Sequence, residues 1–212
     1  MKKFHPRTRA LLTLPAVGLA PREVRALDLP PIHHLPDKPS GFGLAGNTGI
    51  GKTFALARHL AERVESVVCA SSDPETALIP SNHRIRWINW PEKSEEIKRL
   101  VMRSGDVLDD WVFAVKWAAH LYLDDLGRER CKGDDDYSLA LLTEILDHRY
   151  RNGLPVYWTS NRMPDELCSY YPSRLTSRLL STWPPYVLHG KDLRLANLNR
   201  PRDFKASASG DQ

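Results

Sequence analysis

The chain has little cysteine and no long apolar run, and both shortages narrow the class of protein. Its 212 residues include only three cysteines, which lie too far apart for a disulfide framework or a zinc knuckle. No stretch approaches the roughly 18 uninterrupted apolar residues that a membrane span requires, so no membrane partner is expected. The basic N-terminus is followed by a broken apolar stretch without a clear cleavage site, so we do not predict a signal peptide. These features favour a cytoplasmic protein with reduced thiols.

Positive charge is concentrated in the first 45 residues. The whole chain has a formal net charge of +4. The same balance is reached within 1–45 alone, so the remainder is neutral; the charged residues there are Lys2, Lys3, Arg7, Arg9, Arg22, Arg25 and Lys38 against Glu23, Asp28 and Asp37. A basic, proline-rich leader is typical of an arm that meets an acidic partner or nucleic acid, and equally of a solvated extension. Both interpretations stay open.

Composition and periodicity divide the chain into three parts. We predict a basic, proline-rich arm over 1–40, one α/β domain over 41–199 and a disordered tail over 200–212. The arm should be mostly extended, with a helical turn or two near Arg22–Leu27. In the domain, strand and helix patterns alternate, which predicts a parallel β-sheet flanked by helices. The predicted strands are 41–45, 84–90, 121–127 and 154–161, and the predicted helices are 53–68, one after Pro91, 111–119 and 138–151; 67–70 is an alternative strand.

The most informative segment, Gly46 to Thr53, reads G-N-T-G-I-G-K-T and completes the pattern G-x-x-x-x-G-K-[ST]. Its glycines let backbone N–H groups point at a β-phosphate, Lys52 reaches the β- and γ-phosphates, and the Thr53 hydroxyl holds Mg²⁺. An apolar strand before it and an amphipathic helix behind it supply the required context. The segment predicts an ATP and Mg²⁺ site in a P-loop NTPase. The predicted nucleotide-binding residues are Gly46, Asn47, Thr48, Gly49, Ile50, Gly51, Lys52, Thr53 and Phe54.

Two later strands end in polar side chains that suit the same site. The stretch L-Y-L-D-D-L-G, residues 121–127, is an apolar strand with two carboxylates at its tip. In P-loop enzymes one such acid holds the metal through water and the next polarises the attacking water, so Asp124 is assigned the first role and Asp125 the second. Asn161 ends the strand that carries T-S-N and could orient that water. Alone, each signal is also explained by ordinary capping, and 134–136 is interpreted as a solvated acidic turn.

In order along the chain, G-N-T-G-I-G-K-T, L-Y-L-D-D-L-G, I-L-D-H-R-Y-R-N-G-L-P-V-Y-W-T-S-N-R and S-R-L-T-S-R-L-L resemble the DnaC/DnaI-type helicase loaders of the AAA+ ATPases. The related IstB transposition helpers share these motifs, and the resemblance covers about 41–196. It implies an AAA+ core with a minimal or absent helical lid. It also implies Asn161 as the sensor of the γ-phosphate and Arg178 as an arginine finger for a neighbouring subunit, with Arg174 as the alternative. Arg194, in a closing-strand and sensor-2 region over 190–194, is implied as a further nucleotide contact.

The resemblance implies an ATP-dependent loader of the replicative DNA helicase. Such a protein would hydrolyse ATP in a homo-oligomer whose subunits share the ATP site, and it would also contact single-stranded DNA. An IstB-type transposition helper, a small P-loop kinase and a static ATP-binding scaffold are the alternatives. The leader is shorter than the N-terminal domain of most loaders and contains no cysteine. Candidate DNA contacts are the arm, through Arg7, Arg9, Arg22 and Arg25, and the loop 128–132.

Overall fold

Five strands form a single sheet in the computed structural model, which describes residues 3–14, 17–28, 33, 35, 38–74, 84–100, 106–130 and 136–193. All strand pairings are parallel, which confirms the predicted α/β class. The strands are β1 (Gly41–Gly46), β2 (Ile85–Asn89), β3 (His120–Leu126), β4 (Val156–Ser160) and β5 (Pro185–Leu188).

Helices connect successive strands and cover both faces of the sheet, as parallel connections require. In the described ranges they are α1 (Pro6–Leu12), α2 (Pro21–Ala26), α3 (Lys52–Ala70), α4 (Trp90–Leu100), α5 (Asp106–Lys116), α6 (Tyr137–Arg151), α7 (Pro164–Tyr170) and α8 (Ser173–Thr182). None of these helices has the length and apolar character that crossing a bilayer would need.

The strand order is β2-β3-β4-β1-β5, so β1 lies between strands that come much later in the chain. Its residues are all buried, because both of its faces are covered and both of its edges are paired. In register, Ala45 lies beside Ser160 and Asn89 beside Asp124. The carboxyl ends of β1, β3 and β4 therefore meet at one edge. In open α/β sheets, ligands bind at such an edge, where the strand order reverses.

Each face of the sheet carries its own hydrophobic cluster. One cluster joins α1, α2 and α3 to residues of β1 and β2 and to Tyr122 and Tyr157. The other joins α4 to α8 to residues of β3 and β4, with Trp158 and Trp183 fully buried in it. Successive residues of β3 and β4 face opposite sides of the sheet, so each of these strands contributes side chains to both clusters. The sheet is thus held rigidly from both sides, which fixes the strand ends that carry the polar side chains.

The prediction of a mostly extended leader is wrong for residues 6–12, which form α1. The helical turn predicted near residue 22 is confirmed as α2. Both helices begin with a proline in the first turn, where the missing N–H costs nothing. Thr8 and His5 donate to the Glu65 carboxylate, and the leader buries apolar residues against α3; these are Phe4, Leu11, Leu12, Val17, Leu19, Val24 and Leu27. The division of the chain at residue 40 stays a prediction.

Several predicted boundaries needed correction. The helix predicted over 111–119 begins at Asp106, and residues 67–70 belong to α3, not to a strand. The closing strand is Pro185–Leu188, so the segment 190–193 follows it instead of forming it. Asp136 is buried as the N-cap of α6, which differs from the solvated turn that was expected there. Its neighbours 134 and 135, Cys131, Arg194 and the predicted tail lie outside the described residues.

Candidate nucleotide-binding site

The loop between β1 and α3 has left-handed backbone at two glycines. Gly49 has φ 81° and Gly51 has φ 91°, and Gly51 caps α3 without a side-chain hydrogen bond. A residue with a β-carbon would be strained at either position. The first N–H groups of a helix have no partner within the helix, which makes the start of α3 suited to an anion. The local sequence therefore builds a site for phosphate.

Lys52 crosses from this loop to the neighbouring strand. Its Nζ donates to the carbonyl oxygens of Gly46, at 2.8 Å, and Asn47, at 2.7 Å. It also donates to Asn161 Oδ1 at 2.8 Å, across the pair formed by β1 and β4. Only 5% of Lys52 is exposed, so its ammonium group is held at the bottom of the loop. The structure thus brings together two residues that the sequence separates by 109 positions.

Asp124 lies between two threonine hydroxyl groups. Thr53 donates to its Oδ1 over 2.9 Å, and Thr159 donates to the same oxygen over 2.7 Å. Only 2% of Asp124 is exposed. Burial raises the pKa of Asp124 to about 6, with the charge of Asp125 adding to the rise and the two threonine hydrogen bonds opposing it. This carboxylate is therefore prepared for a cation that would compensate its charge.

Asp125 has φ 61° and is the non-glycine residue with left-handed backbone in the described part of the chain. Its N–H donates to Thr159 Oγ1 over 2.9 Å, which fixes the turn. Its carboxylate accepts from Asn161 Nδ2 over 3.1 Å and from the Arg128 guanidinium over 3.0 Å. Asp and Asn tolerate this conformation better than other non-glycine residues. The turn directs the second carboxylate away from the first and toward Asn161.

A cavity of about 600 Å³ opens above these side chains. Its lining combines the loop and strand-end residues with two further segments, α2 and the residues after β5. Leu193 lines the cavity, and its N–H donates to the Gly49 carbonyl over 3.0 Å. A β-carbon at Gly49 would come within 2.0 Å of the Asp192 carboxylate, so only glycine fits beneath this segment. The volume is in the range of small-molecule and cofactor sites.

Arg178 and Arg174 lie elsewhere, on the side of α8 that faces α6. Both form ion pairs with Asp147 of α6, and the Arg178 guanidinium lies 4.8 Å from the centre of the Tyr150 ring. Neither arginine lines the 600 Å³ cavity. An arginine that serves a neighbouring subunit should be absent from its own chain's site, and this arrangement has that property. Arg194 lies outside the described residues.

Sequence reasoning missed two contributors to the site and one buried arginine elsewhere in the fold. Thr159 bridges Asp124 and the Asp125 backbone, and its place in the T-S-N strand tip was the available signal. Arg128 had been considered for DNA, but it pairs with Asp125 at the cavity. Arg149 does not line the cavity; it is fully buried and donates to backbone carbonyls. Its acceptors are Val115, Lys116, Ala118 and Pro155.

Comparison with known proteins agrees with this geometry. The chain is 28% identical to the replicative helicase loader DnaI of Bacillus subtilis over 174 residues, which are 74% of this chain and 48% of the relative. It therefore spans about half the length of this curated relative. The DnaC helicase loader crystal structure superposes with a TM-score of 0.58 at 20% identity, over 80% of this chain and 100% of that one. The fold is that of a DnaC/DnaI-like AAA+ ATPase domain.

Another neighbour of this AAA+ domain is replication initiator DnaA bound to AMPPCP and single-stranded DNA. Its TM-score is 0.51 at 15% identity, over 90% of this chain and 52% of that one. No family model matches the chain. At these identities the structural neighbours establish the fold, and the chemistry has to be argued from the side chains described above.

Proposed function

We propose that the chain is an ATPase that loads a replicative DNA helicase. The observation that carries this proposal is the convergence of Lys52, Thr53 and Asn161 on one cavity at the carboxyl edge of the sheet, with Asp124 hydrogen-bonded to Thr53 beside it. These four come from β1–α3, β3 and β4, and each has the side chain that triphosphate hydrolysis needs. The similarity to DnaI supports the choice of client.

Nucleotide binding follows from the loop. The N–H groups at the start of α3 and the Lys52 ammonium supply positive potential where the β- and γ-phosphates would lie. The carbonyl contacts of Lys52 with Gly46 and Asn47 hold the loop closed around its ammonium group. A phosphate oxygen is a stronger partner than a carbonyl oxygen because the hydrogen bond is charge-assisted on both sides. Binding of ATP would therefore exchange a carbonyl contact for a phosphate contact.

The oxygen atoms of Thr53 and Asp124 fit Mg²⁺, which prefers hard oxygen ligands. Among the described residues, no group of three or more His, Cys, Asp or Glu side chains could hold a metal unaided. This suits Mg²⁺, which usually takes its remaining ligands from substrate phosphates and water. When bound, the ion would neutralise charge on the phosphate oxygens. Asp124, already buried and hydrogen-bonded, needs little rearrangement to serve it.

Asp125 and Asn161 supply the groups for hydrolysis. Their contact, 3.1 Å from Asn161 Nδ2 to Asp125 Oδ1, places an amide and a carboxylate side by side at the cavity. Asp125 would accept a hydrogen bond from the attacking water and take its proton as oxygen bonds to the γ-phosphorus. The bond to the bridging oxygen then breaks, which releases ADP and phosphate. Asn161 also contacts Lys52, so a change at the γ-phosphate would reach β4 directly.

Arg178 would act on the ATP of an adjacent subunit. A guanidinium near the γ-phosphate stabilises the charge of the transition state, by about 10³ to 10⁵ in rate in known cases. The support here is its position on α8 away from its own chain's cavity, where Asp147 and Tyr150 orient it. A homo-oligomer whose subunits share each ATP site follows from this assignment. Single-stranded DNA is proposed as a second partner, by analogy with the DnaA complex.

Mixing two inactive variants tests the shared site. Lys52→Ala removes the phosphate contact but keeps Arg178, whereas Arg178→Ala keeps the cavity but loses the finger. Each variant alone should hydrolyse ATP at least 100-fold more slowly. An equal mixture should recover roughly a quarter of wild-type activity, because about a quarter of the subunit interfaces then pair an intact Lys52 with an intact Arg178. Lys38→Ala, outside the cavity, is the matched control and should keep full activity.

No recovery on mixing would contradict the shared site, and unchanged nucleotide binding by Lys52→Ala would contradict the nucleotide site itself. The client is tested separately. The full chain with ATP should retain a purified replicative helicase of the same cell, in preference to a transposase. Retention of the transposase alone would replace the loader assignment by the transposition helper.

A further inference from the structure

The leader reaches the nucleotide cavity through α2. Arg22, Glu23 and Ala26 line the cavity together with Lys52, Asp125 and Asn161. The sequence had suggested Arg22 as a DNA contact of a free arm. The fold instead places it at the cavity, which Asp125 and Asn161, the two groups proposed for hydrolysis, also line. Its side chain is 71% exposed, so a ligand can reach it.

A buried carboxylate orients this guanidinium. Glu23 is 7% exposed, and its Oε1 accepts a hydrogen bond from Arg22 Nε over 2.6 Å. That bond uses the inner nitrogen and does not involve the two terminal nitrogens. In the described part of the chain, no other hydrogen bond to the Arg22 guanidinium is present. The hydrogen bond and charge of Glu23, with smaller contributions from Glu92 and Asp124, raise the pKa of Arg22.

The backbone that carries Arg22 is held at both ends. Trp87 N donates to the Val17 carbonyl over 2.6 Å, which fastens the leader to the edge strand β2. At the other end the Leu27 carbonyl accepts from Arg58 of α3 over 3.4 Å, and the Leu27 side chain is buried. These anchors lie on β2 and α3, and the start of α3 lines the cavity. The position of α2 is thus fixed by contacts on both sides of it.

We propose that Arg22 binds the γ-phosphate of ATP in the same chain, with Glu23 as its positioning residue. This inference rests on the proposed nucleotide site and adds a residue to it. Through Arg22, the leader would distinguish ATP from ADP, because only the triphosphate extends to the cavity side that α2 forms. Two terminal nitrogens in a fixed fork suit a pair of phosphate oxygens, as Arg–phosphate contacts commonly show.

Nucleotide titration of the full-length chain tests this role. Fluorescent ATP and ADP analogues are titrated with Mg²⁺ into wild type, Arg22→Ala, Arg22→Lys and Arg25→Ala. Arg22→Ala should weaken ATP binding about tenfold and change ADP binding less than twofold. Arg25 is exposed on the same helix and does not line the cavity, so Arg25→Ala should match wild type for both nucleotides. Arg22→Lys should lose most of the preference, because one ammonium group cannot serve both Glu23 and the phosphate.

The role of Glu23 has its own readout. Glu23→Gln keeps the shape but weakens the hold on Arg22, so it should lower the ATP-to-ADP preference while thermal unfolding stays within a few degrees of wild type. Adding Glu23→Gln to Arg22→Ala should have no further effect on that preference. An additive loss would contradict a role exerted through Arg22.

Equal weakening of ATP and ADP binding by Arg22→Ala, or no weakening of either, would overturn the proposal. So would a loss confined to single-stranded oligonucleotide binding, which would return Arg22 to a DNA contact. These outcomes are distinct from a failure of the site itself. That failure would appear as unchanged nucleotide binding by Lys52→Ala, whatever the Arg22 variants do.

Discussion

Replacing Asp124 by asparagine should stabilise the protein at neutral pH when no nucleotide or divalent cation is present. Burial raises the pKa of Asp124 from 3.8 to about 6. Between these two pH values the folded state holds a proton that the unfolded state has released. The free energy of unfolding contributed by this group therefore falls as the pH rises from about 4 to 6, and the loss is complete above 6. Asparagine carries no charge and avoids this loss.

The magnitude follows from the shift. About two pKa units, at roughly 1.4 kcal/mol each, correspond to about 3 kcal/mol. For a chain of this size each kcal/mol moves the melting temperature by about 2–4 °C. The Asp124→Asn variant should therefore melt about 6–12 °C higher than wild type at pH 7.5. The amide oxygen can still accept from Thr53 and Thr159, so the hydrogen bonds seen at this position do not oppose the gain.

Thermal unfolding from pH 4 to 8 in EDTA measures the effect. The gain should be close to zero at pH 4 and reach its full size above pH 6.5, while ATP hydrolysis is lost. Asp109→Asn, at an exposed position of α5, is the control and should shift the melting temperature little at any pH. A variant no more stable than wild type at pH 7.5, or a gain that is the same at pH 4 and 7.5, would refute the reasoning.

Three further predictions concern side chains away from the phosphate loop. Burial lowers the pKa of His59 to about 3, so below pH 6.5 the unfolded state binds a proton that the folded state does not bind. The free energy of unfolding should therefore fall by up to about 5 kcal/mol as the pH is lowered toward 3, and His59→Phe should flatten that dependence in urea titrations. Arg149→Leu leaves four carbonyl oxygens without their buried donor and should cost about 3–5 kcal/mol in urea unfolding, whereas a loss below 1 kcal/mol would contradict the network. Asp147→Asn frees Arg178 from its ion pair and should lower ATP turnover several-fold at unchanged nucleotide affinity; altered affinity would argue against an effect through the finger.

The strand ends were predictable because each depends on a few adjacent residues. The phosphate loop is a contiguous sequence pattern. The strands that lead to Asp124 and Asn161 are buried on both faces, so they read as continuous apolar runs that end in polar residues. The parallel fold follows from alternating strands and helices, so these residues had to share one edge. The structure places them in contact, while their catalytic roles stay predictions.

Other features depend on tertiary contacts that no local pattern reveals. Residues 6–12 looked irregular because so short a helix holds too few residues for a clear apolar period. Burial against α3 stabilises it. The burial of Arg149 had no local signal, because its partners are backbone carbonyls of α5 and of the turn before β4, which have no side-chain signature. Arg22 looked like part of a free arm for the same reason: its place at the cavity depends on anchors at Val17 and Leu27.

The packing of the leader has a practical consequence for anyone expressing the protein in pieces. A fragment cut at Gly41, where composition alone invites a boundary, would remove the leader's apolar side chains from the cluster that they share with α3 and expose the stripe of α3 that they cover. Such an exposed stripe promotes aggregation. Shortened versions intended for crystals or assays should therefore keep residues from Phe4 onward, and affinity tags are better joined by a flexible spacer that does not pull on α1.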